Sequence, residues 1–565
     1  MKRECNINLL KTTPCLWDFI VIGGGATGLG IAVDAASRGF KTVLLEQSDF
    51  AKVTSGRSTK LVHGGVRYLQ KGDVALVREA LRERGYLFRN APHLVSDQRF
   101  IVANYAWWER PFYTIGLTMY DLLSGKLGLG RSLPMRKAKV IQAIPQIKQK
   151  GLRGGVVYHD GRFDDARLAV NLMQTAGELG ATVVNYAKVT GLLKNVRKEA
   201  VRQVKEGDIT GVTVRDELSG DTFDLKGRCI VNATGIFVDD VIRMDNKAAA
   251  PMLRPSQGIH LVIDRSFLGG DDAIMIPKTN DGRVLFGVPW HNQLILGTTD
   301  TPVKDCVMEP KPLDEEIDLV LQTAAQYLIR PPKREDVLSV FAGLRPLAAP
   351  KRNANESKTK EISRRHKLII SSSGLITITG GKWTTYRQMA EETVDAGIKK
   401  CGLPSRKCMT KDLKIHGCLP NDDSNNRRTV GVADRSNRQT VGGADRSNRQ
   451  TVGGGDRSNW RTVYGSDAAI IQALETQTPA YAQKLHPSFD FTVAEVVWAV
   501  REEMAITVED VLSRRLRALI LDARASMEMA PQVAAIMAQE LNKDETWEKT
   551  QVDEYVRLAK GYLIS

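Results

Sequence analysis

The chain lacks an apolar run long enough to cross a membrane as a helix. Of its 565 residues, 42% are hydrophobic and only 6% are aromatic. The most apolar stretch, residues 101–123, is interrupted by Glu109, Arg110 and Asp121. Residues 1–17 mix charged residues with single apolar ones, so the apolar core of a signal peptide is also missing. We therefore expect a cytoplasmic protein without a spanning segment.

Closely paired cysteines are also missing. The seven cysteines are Cys5, Cys15, Cys229, Cys306, Cys401, Cys408 and Cys418. An odd number at wide spacing indicates reduced thiols. Cys401, Cys408, His416 and Cys418 are near one another, but the Cys-x2–4-Cys spacing of zinc sites is absent. We predict no metal site.

Acidic residues are too few to balance the basic ones. Lysine and arginine total 80, aspartate and glutamate 65, and the formal net charge is +15. A basic chain suits a phosphorylated substrate, an anionic membrane surface or nucleic acid. The sequence contains no zinc-finger spacing, RNA-binding aromatic signature or basic zipper, so nucleic acid is the least favoured of the three.

A glycine-rich turn near the N-terminus is the most informative motif. Gly23-Gly24-Gly25-Ala26-Thr27-Gly28 fits Gly-x-Gly-x-x-Gly, follows an apolar run at 19–22 and opens a helical pattern. Glu46 ends the next apolar run at 42–45. The glycines would let the backbone approach a pyrophosphate at a helix N-terminus, and the carboxylate would accept hydrogen bonds from a ribose. This arrangement predicts dinucleotide binding; the alternative is a tight turn without a ligand.

The remaining periodicity predicts an interleaved domain organisation. Helices are predicted at 74–90, 164–179 and 385–400, a hairpin at 209–225, and buried strands at 229–235 and 375–379. Residues 250–345 alternate like antiparallel strands and suit a substrate-binding layer. We predict a discontinuous dinucleotide-binding domain (17–100, 151–245 and 340–403), a substrate-binding domain (101–150 and 246–339), a linker (404–466) and an α-helical C-terminal domain (467–565).

Three tandem repeats of eleven residues occupy 427–459, within the linker. They read RRTVGVADRSN, RQTVGGADRSN and RQTVGGGDRSN. Each has one valine as its sizeable aliphatic residue, so it cannot bury enough surface to order itself. We expect a flexible insert; an interaction arm is the alternative.

Seven segments, in order, resemble the FAD-dependent, quinone-linked glycerol-3-phosphate dehydrogenases. They are DFIVIGGGATGLGIAVDAASRG, RSTKLVHGGVRYL, NATG, GTTD, AGLRPL, TGGKWTTYR and REEMAITVEDVLSRR. The resemblance covers about residues 17–420 and 460–560, and the repeats lie outside it. It implies an α/β fold with a Rossmann-like FAD-binding domain, an antiparallel β substrate-binding domain and the helical C-terminal domain.

The resemblance also implies a cofactor site for non-covalent FAD. The residues at matching positions are Gly23, Gly24, Gly25, Thr27, Gly28, Glu46, Gln47, Ser55, Ser58, Thr59, Lys60, Leu61, His63, Gly64, Gly65, Val189, Gly235, Gly381, Lys382 and Thr384. Without it, residues 55–65 would be interpreted as a solvated basic loop, and Val189 and Gly235 as ordinary core strand.

Substrate and catalytic residues are implied in the same way. The substrate positions are Arg67, Tyr68, Thr298, Arg345, Arg364 and Lys382, with structural salt bridges as the alternative for the cations. Cationic donors suit the phosphate dianion of glycerol 3-phosphate. His260 matches the active-site histidine and would act as general base beside Arg345, with His63 as the second candidate.

The implied partners are glycerol 3-phosphate, a membrane quinone and an anionic membrane surface, with a homodimer left open. The alternative function is a glycerol-3-phosphate oxidase or another flavin oxidase that uses oxygen. We expect peripheral association with the inner face of the cell membrane. The candidate contact includes Trp107, Trp108, Phe112, Tyr113, Leu117 and Met119. The alternative is that these side chains fill the core.

Overall fold

The strands of the protein form two sheets. The structure, a computed structural model, describes residues 2–70, 72–195, 205–277, 279, 283–348, 366–419 and 460–564. Strands in these ranges are β1 (Leu16–Ile22), β2 (Thr42–Leu45), β3 (Leu61–Val62), β4 (Val95–Asn104), β5 (Leu133–Arg136), β6 (Gly154–Phe163), β7 (Thr182–Val184), β8 (Ala187–Lys194), β9 (Ile209–Asp216), β10 (Thr222–Asn232), β11 (Leu253–Asp264), β12 (Ala273–Ile276), β13 (Leu285–Trp290), β14 (Gln293–Gly297), β15 (Thr301–Pro302), β16 (Val337–Ala348), β17 (Lys367–Ile370) and β18 (Ile376–Thr379).

Helices surround these sheets and make up the C-terminal part. The α-helices in the described ranges are α1 (Arg3–Thr12), α2 (Ala26–Ser37), α3 (Val66–Gln70), α4 (Val74–Asn90), α5 (Glu109–Ser124), α6 (Lys137–Ala143), α7 (Asp165–Glu178), α8 (Val238–Asp245), α9 (Asp314–Tyr327), α10 (Tyr386–Cys401), α11 (Asp467–Gln477), α12 (Val493–Glu502), α13 (Ala518–Leu521), α14 (Ala523–Leu541) and α15 (Glu545–Lys560).

The first sheet has the order β17-β18-β10-β1-β2-β7, with β9 and β8 joined through β10. Its central strands are parallel. The apolar run of β1 is buried almost throughout, as expected for a parallel strand covered on both faces. Helices α2, α7 and α10 share a hydrophobic core with it. This sheet carries the glycine turn at the carboxyl end of β1.

The second sheet is mainly antiparallel and has the order β15-β11-β14-β13-β12-β4-β6-β3, with β16 beside β11 and β5 beside β6. Ile259, Leu261 and Ile263 face a core shared with α6 and α9. Because successive strand residues alternate between faces, His260 and Val262 lie on the opposite face. On that face, Val262 packs in a core shared with the C-terminal helices.

The boundary between the two layers differs from the predicted domain limits. Residues 61–62, 95–104 and 154–163, expected in or at the edge of the dinucleotide-binding domain, belong to strands of the second sheet. Alternating hydrophobicity predicts a strand but does not reveal which sheet will pair with it.

The local predictions are largely confirmed. Helix α4 begins and ends at the predicted residues, and Asp73 caps it by accepting a hydrogen bond from the Leu76 N–H. Strands β9 and β10 form the predicted antiparallel hairpin. Helix α7 begins one residue late because Asp164 acts as its N-cap.

Two features near the chain ends were not predicted. Residues 3–12 form a helix whose Ile7 and Leu10 are buried against the first sheet. Within the predicted α-helical C-terminal domain, Arg517 adopts a left-handed conformation between a π-helical turn and α13, so the helical segment is interrupted there. The C-terminal helices share a core with Val262 and Phe341 of the second sheet.

The expectation that all cysteines are free is wrong for one pair. Cys229 on β10 and Cys401 at the end of α10 form a disulfide. The two cysteines are 172 residues apart in sequence, and α10 packs on the first sheet, so sequence spacing could not indicate the pair. The described residues contain no cluster of metal-ligating side chains.

Helix α5 divides the predicted membrane-contact residues into two groups. Tyr113 and Leu117 are buried, so core packing is correct for these two. The other predicted residues are exposed and continue along the helix. We define the α5 apolar stripe as the exposed Trp107, Trp108, Phe112, Ile115, Met119 and Leu122.

Among the described helices, none has the length and apolar content needed to cross a bilayer. The eleven-residue repeats at 427–459 and Arg364 lie outside the described residues.

Candidate active site

A cavity of about 750 Å³ lies between the two sheets. Its wall combines the glycine turn, the loop at 51–59, parts of β8, β11 and β16, and residues 378–384. Cavities of this size are typical of small-molecule and cofactor sites.

The glycine turn is held in place by the carboxylate of Glu46. One carboxylate oxygen accepts a hydrogen bond from the Gly24 N–H at 2.6 Å and the other accepts one from the Ser48 N–H at 2.9 Å. Burial raises the pKa of Glu46, while the two backbone hydrogen bonds act in the opposite direction. A carboxylate oxygen keeps a second lone pair, so Glu46 can also accept a hydroxyl from a ligand.

Gly28 is required by close packing rather than by the ligand. A Cβ at this position would collide with the carbonyl oxygen of Gly23. The strand-to-helix turn can be this tight only without a side chain there, and the N-terminus of α2 is thereby directed at the cavity.

The loop at 54–60 adjoins the glycine turn in the cavity wall. Ser55 Oγ accepts a hydrogen bond from the Ala26 N–H at 3.0 Å. Ser58 donates from both its backbone N–H and its hydroxyl to one oxygen of Asp165, at 3.0 and 2.7 Å. The same oxygen binds the Lys60 ammonium at 2.7 Å. We call residues 54–60 the flavin loop, because it contains the predicted FAD-binding residues Ser55, Ser58, Thr59 and Lys60.

His260 contacts this loop directly at the cavity wall. Its Nε2 lies 2.9 Å from Thr59 Oγ1, and its ring stacks on Phe341 with 4.9 Å between centroids. Burial, followed by the charges of Lys60 and Arg345, holds the pKa of His260 well below its usual value. The imidazole is therefore neutral near pH 7, and one of its nitrogens can accept a proton.

Arg345 is fixed by neighbouring strands. Its guanidinium donates to the carbonyl oxygens of Gln257 and Thr299, at 3.1 and 2.8 Å, and to Thr298 Oγ1 at 3.0 Å. A Cβ at Gly258 would collide with this guanidinium, so the glycine leaves the space that Arg345 occupies. Asp300 lies 3.3 Å from the guanidinium and offsets part of its charge.

Lys382 and Tyr68 form another part of the cavity wall. The Lys382 ammonium lies 4.0 Å from the centroid of the Tyr68 ring, within range of a cation–π interaction. Thr384 Oγ1 accepts a hydrogen bond from the His63 N–H at 3.2 Å, which ties residues 380–384 to the segment after β3.

Most of the predicted site residues line the cavity. They are Gly23, Gly25, Thr27, Glu46, Gln47, Ser55, Ser58, Thr59, Leu61, His63, Tyr68, Val189, Gly235, His260, Arg345, Gly381, Lys382 and Thr384. The predicted residues that lie behind or beside the lining are Gly24, Gly28, Lys60, Gly64, Gly65, Arg67 and Thr298.

The sequence analysis missed part of the wall. Cys306, Val307 and Met308 line the cavity near Glu46, and Met308 Sδ lies 3.8 Å from Ser48 Oγ. Asp165, which organises the flavin loop, was also missed. These residues belong to no motif. They are far from the loop in sequence, so no local pattern indicates that they lie near it.

Comparison with known proteins shows what this cavity belongs to. Residues 18–387 match the family described as FAD dependent oxidoreductase, and residues 408–548 match the C-terminal domain of alpha-glycerophosphate oxidase. The mitochondrial glycerol-3-phosphate dehydrogenase of Mus musculus is 37% identical over 99% of this chain and 75% of its own length. The chain belongs to the FAD-dependent glycerol-3-phosphate dehydrogenase family.

Other glycerol-3-phosphate dehydrogenases are also similar to this chain in sequence or structure. The mitochondrial enzyme of Schizosaccharomyces pombe is 34% identical over 97% of this chain and 87% of its own. A solved glycerol-3-phosphate dehydrogenase from Bacillus halodurans, complexed with FAD, is 26% identical, with a TM-score of 0.75 over 100% of this chain and 98% of its own. The α-glycerophosphate oxidase of Mycoplasma pneumoniae, at 16% identity and a TM-score of 0.54, shares the fold.

FAD is the cofactor of this family, and the cavity of the present protein fits FAD. The glycine turn provides a side-chain-free approach for a pyrophosphate, Glu46 stands at the carboxyl end of β2 for a ribose, and residues 380–384 lead into the N-terminus of α10. A helix N-terminus offers partial positive charge to an anionic group. The expected fold class, family and cofactor are thus confirmed.

Proposed function

We propose that this protein oxidises sn-glycerol 3-phosphate at C2 to dihydroxyacetone phosphate. The observation that carries the proposal is one cavity lined by Arg345, Lys382 and His260, with the pKa of His260 held well below its usual value. FAD, when bound, accepts the hydride from C2.

The two cations suit the phosphate group of the substrate. A phosphate dianion needs several charge-assisted donors, and a guanidinium can bind two of its oxygens at once. Arg345 is fixed by backbone carbonyls before any ligand binds, so little side-chain entropy is lost on binding. Tyr68 and Thr298 adjoin Lys382 and Arg345, and we keep them, with Arg67 and Arg364, as proposed substrate residues.

His260 has the properties of the general base. Loss of hydride from C2 leaves a carbonyl only if the hydroxyl proton also departs. A neutral imidazole can take that proton. Burial, Lys60 and Arg345 all disfavour the charged imidazolium, and a bound anionic substrate would offset the charges of these two cations. The stacking on Phe341 and the hydrogen bond with Thr59 fix the orientation of the ring.

We propose a membrane quinone as the electron acceptor in glycerol catabolism. The support is the α5 apolar stripe, in which Trp107 and Leu122 are each 76% exposed. The same region exposes basic side chains, namely Arg110, Lys126, Arg131, Arg136, Lys137 and Lys139. An apolar helix face beside basic residues suits an anionic bilayer surface. Attachment to the inner face of the membrane remains a prediction.

The acceptor can be tested directly. Dihydroxyacetone phosphate is measured after glycerol 3-phosphate and a soluble quinone are added without oxygen, and again with oxygen alone. We expect rapid product formation with quinone and little hydrogen peroxide with oxygen. Fast peroxide release without quinone would establish the oxidase alternative.

We also propose that FAD is bound non-covalently. Acid precipitation should then release the yellow flavin into the supernatant. Flavin that stays in the protein pellet would contradict this part of the proposal.

A further inference from the structure

Charged side chains of the C-terminal domain bind residues of the segment 49–60, which forms part of the cavity wall. Arg514 and Arg515 both bind Asp49, with nitrogen–oxygen distances of 2.5 Å. Glu509 binds Lys52 at 2.9 Å. One further arginine, Arg517, reaches the flavin loop itself.

Arg517 is placed by an unusual backbone conformation. It precedes α13 with a φ of 69°, in the left-handed region that non-glycine residues rarely adopt. Its side chain is 3% exposed. Its Nη2 donates to the Gly56 carbonyl oxygen at 2.9 Å and to Asp165 Oδ1 at 2.8 Å. The guanidinium thus holds the backbone of the loop and the carboxylate that organises it.

Asp165 links Arg517 to two further residues of the flavin loop. Its Oδ1 binds Arg517, while its Oδ2 accepts from the Ser58 N–H, the Ser58 hydroxyl and the Lys60 ammonium. The Lys60 ammonium also donates to the Gly56 carbonyl, at 3.0 Å. Thr59, which hydrogen-bonds with His260, lies between the two anchored residues.

The charges at this junction balance. The two cations, Lys60 and Arg517, face two buried carboxylates, Asp164 and Asp165. Both cations also lie near the Trp290 ring, at 5.5 and 5.6 Å from its centroid. Removing one cation would leave a buried carboxylate without its full set of partners, which is costly in a site shielded from water.

We propose that Arg517 is a positioning residue through which the C-terminal domain holds the flavin loop in its FAD-binding conformation. The proposal depends on FAD as cofactor and not on the identity of the substrate. It explains why the cavity wall is tied to a region outside the matched FAD dependent oxidoreductase domain, which ends at residue 387.

The test compares Arg517→Met with a matched buried ion pair elsewhere on the same domain interface. Arg167 binds Glu503 of the C-terminal domain and is 1% exposed. Its side-chain hydrogen bonds within the described part of the chain go to Glu503 and not to the flavin loop. For holoenzymes of wild type, Arg517→Met, Arg517→Lys and Arg167→Met, one measures the rate of FAD release by fluorescence, the visible circular dichroism of the bound flavin, and Tm.

We expect Arg517→Met to release FAD about tenfold or more faster than wild type, with an altered flavin dichroism spectrum. Arg517→Lys should fall between wild type and Arg517→Met, since lysine keeps the positive charge but lacks the planar guanidinium, in which Nη1 donates to the Ser513 carbonyl while Nη2 binds Gly56 and Asp165. Arg167→Met should lower Tm but keep the wild-type release rate and spectrum.

Two outcomes would overturn the proposal. If FAD release in all three variants simply followed the loss in Tm, Arg517 would be a structural residue only. If Arg517→Met failed to fold and Arg517→Lys folded with wild-type release rate and spectrum, the positioning role would be wrong. Because no substrate is used, these outcomes are independent of the proposed dehydrogenase activity.

Discussion

His260 Nε2 lies 2.9 Å from the hydroxyl oxygen of Thr59, and this hydrogen bond links strand β11 of the second sheet to the flavin loop. The strand residue and the loop residue are 201 positions apart in sequence. Because β11 alternates its faces, His260 must point toward the cavity once Ile259 and Leu261 enter the core. The position of the proposed base therefore follows from how the second sheet packs.

The first prediction concerns the charge of His260. Burial, Lys60 and Arg345 hold its pKa well below the usual value, so its ring should stay neutral as the pH falls through about 6.5, where an ordinary histidine becomes protonated. His416 is the internal comparison. Burial lowers its pKa, but Asp467 and Glu178 outweigh burial and raise it, so this ring should still be charged above that pH.

Nuclear magnetic resonance of labelled histidine measures both titrations, and His260→Gln and His416→Gln assign the signals. A His260 midpoint at or above the ordinary value would contradict the electrostatic account of the site.

The second prediction is that Arg345→Ala loses activity far more than FAD. Removal of a charge-assisted hydrogen bond to a bound anion should cost about 1.5–3 kcal/mol, which corresponds to about ten- to a hundredfold in kcat/KM for glycerol 3-phosphate. Arg334→Ala is the control, because Arg334 binds Asp314 and Asp318 at the surface, away from the cavity.

Flavin content after purification separates substrate binding from cofactor binding. A near-normal kcat/KM for Arg345→Ala would remove this residue from the proposed phosphate site. Loss of flavin in parallel with activity would instead make it a structural residue.

The third prediction is that the α5 apolar stripe attaches the protein to anionic membranes. Each tryptophan that enters the bilayer interface contributes through its buried apolar area. We expect wild type to float with anionic liposomes and the Trp107→Ala/Trp108→Ala variant to float much less while keeping FAD. Ile369→Ala/Ile370→Ala is the control, because these side chains are exposed on the edge strand β17 of the other sheet.

If both variants floated equally well, the anchor would lie elsewhere. If wild type itself failed to float at low salt, the membrane proposal would be wrong.

The fourth prediction is that residues 427–459 can be deleted without loss of the fold. The described residues on either side of the repeats contact each other. The Ser466 N–H donates to the Gly417 carbonyl at 2.9 Å, and His416 Nε2 lies 2.9 Å from Asp467 Oδ2. Since these contacts close the chain around the insert, the deletion should leave soluble protein with bound FAD. Insoluble or flavin-free protein would show that the repeats are structural.

How much the sequence predicts depends on how local the determinant is. The glycine turn, Glu46 and helix α4 were predicted because each is marked by a local sequence pattern, namely glycine spacing, the end of an apolar run and helical periodicity. The disulfide of Cys229 with Cys401 and the contact of Arg517 with Gly56 were not, since 172 and 461 residues separate the partners. Such pairs are set by how the two sheets and the C-terminal domain pack.

The family resemblance supplied what local pattern could not. Periodicity alone places His260 in a strand and Arg345 in another, with no sign that both line one cavity. The resemblance did not indicate Asp165 or the segment at 306–308, because these residues act by position rather than through a motif.

The central claim is that FAD in this cavity is reduced by glycerol 3-phosphate. The most direct measurement is the visible absorption of the purified flavoprotein, without oxygen, before and after substrate is added. We predict that the yellow absorption of the flavin is bleached by sn-glycerol 3-phosphate, but not by glycerol or by inorganic phosphate. A flavoprotein that retains its full absorption with glycerol 3-phosphate, yet is bleached by dithionite, would contradict the account.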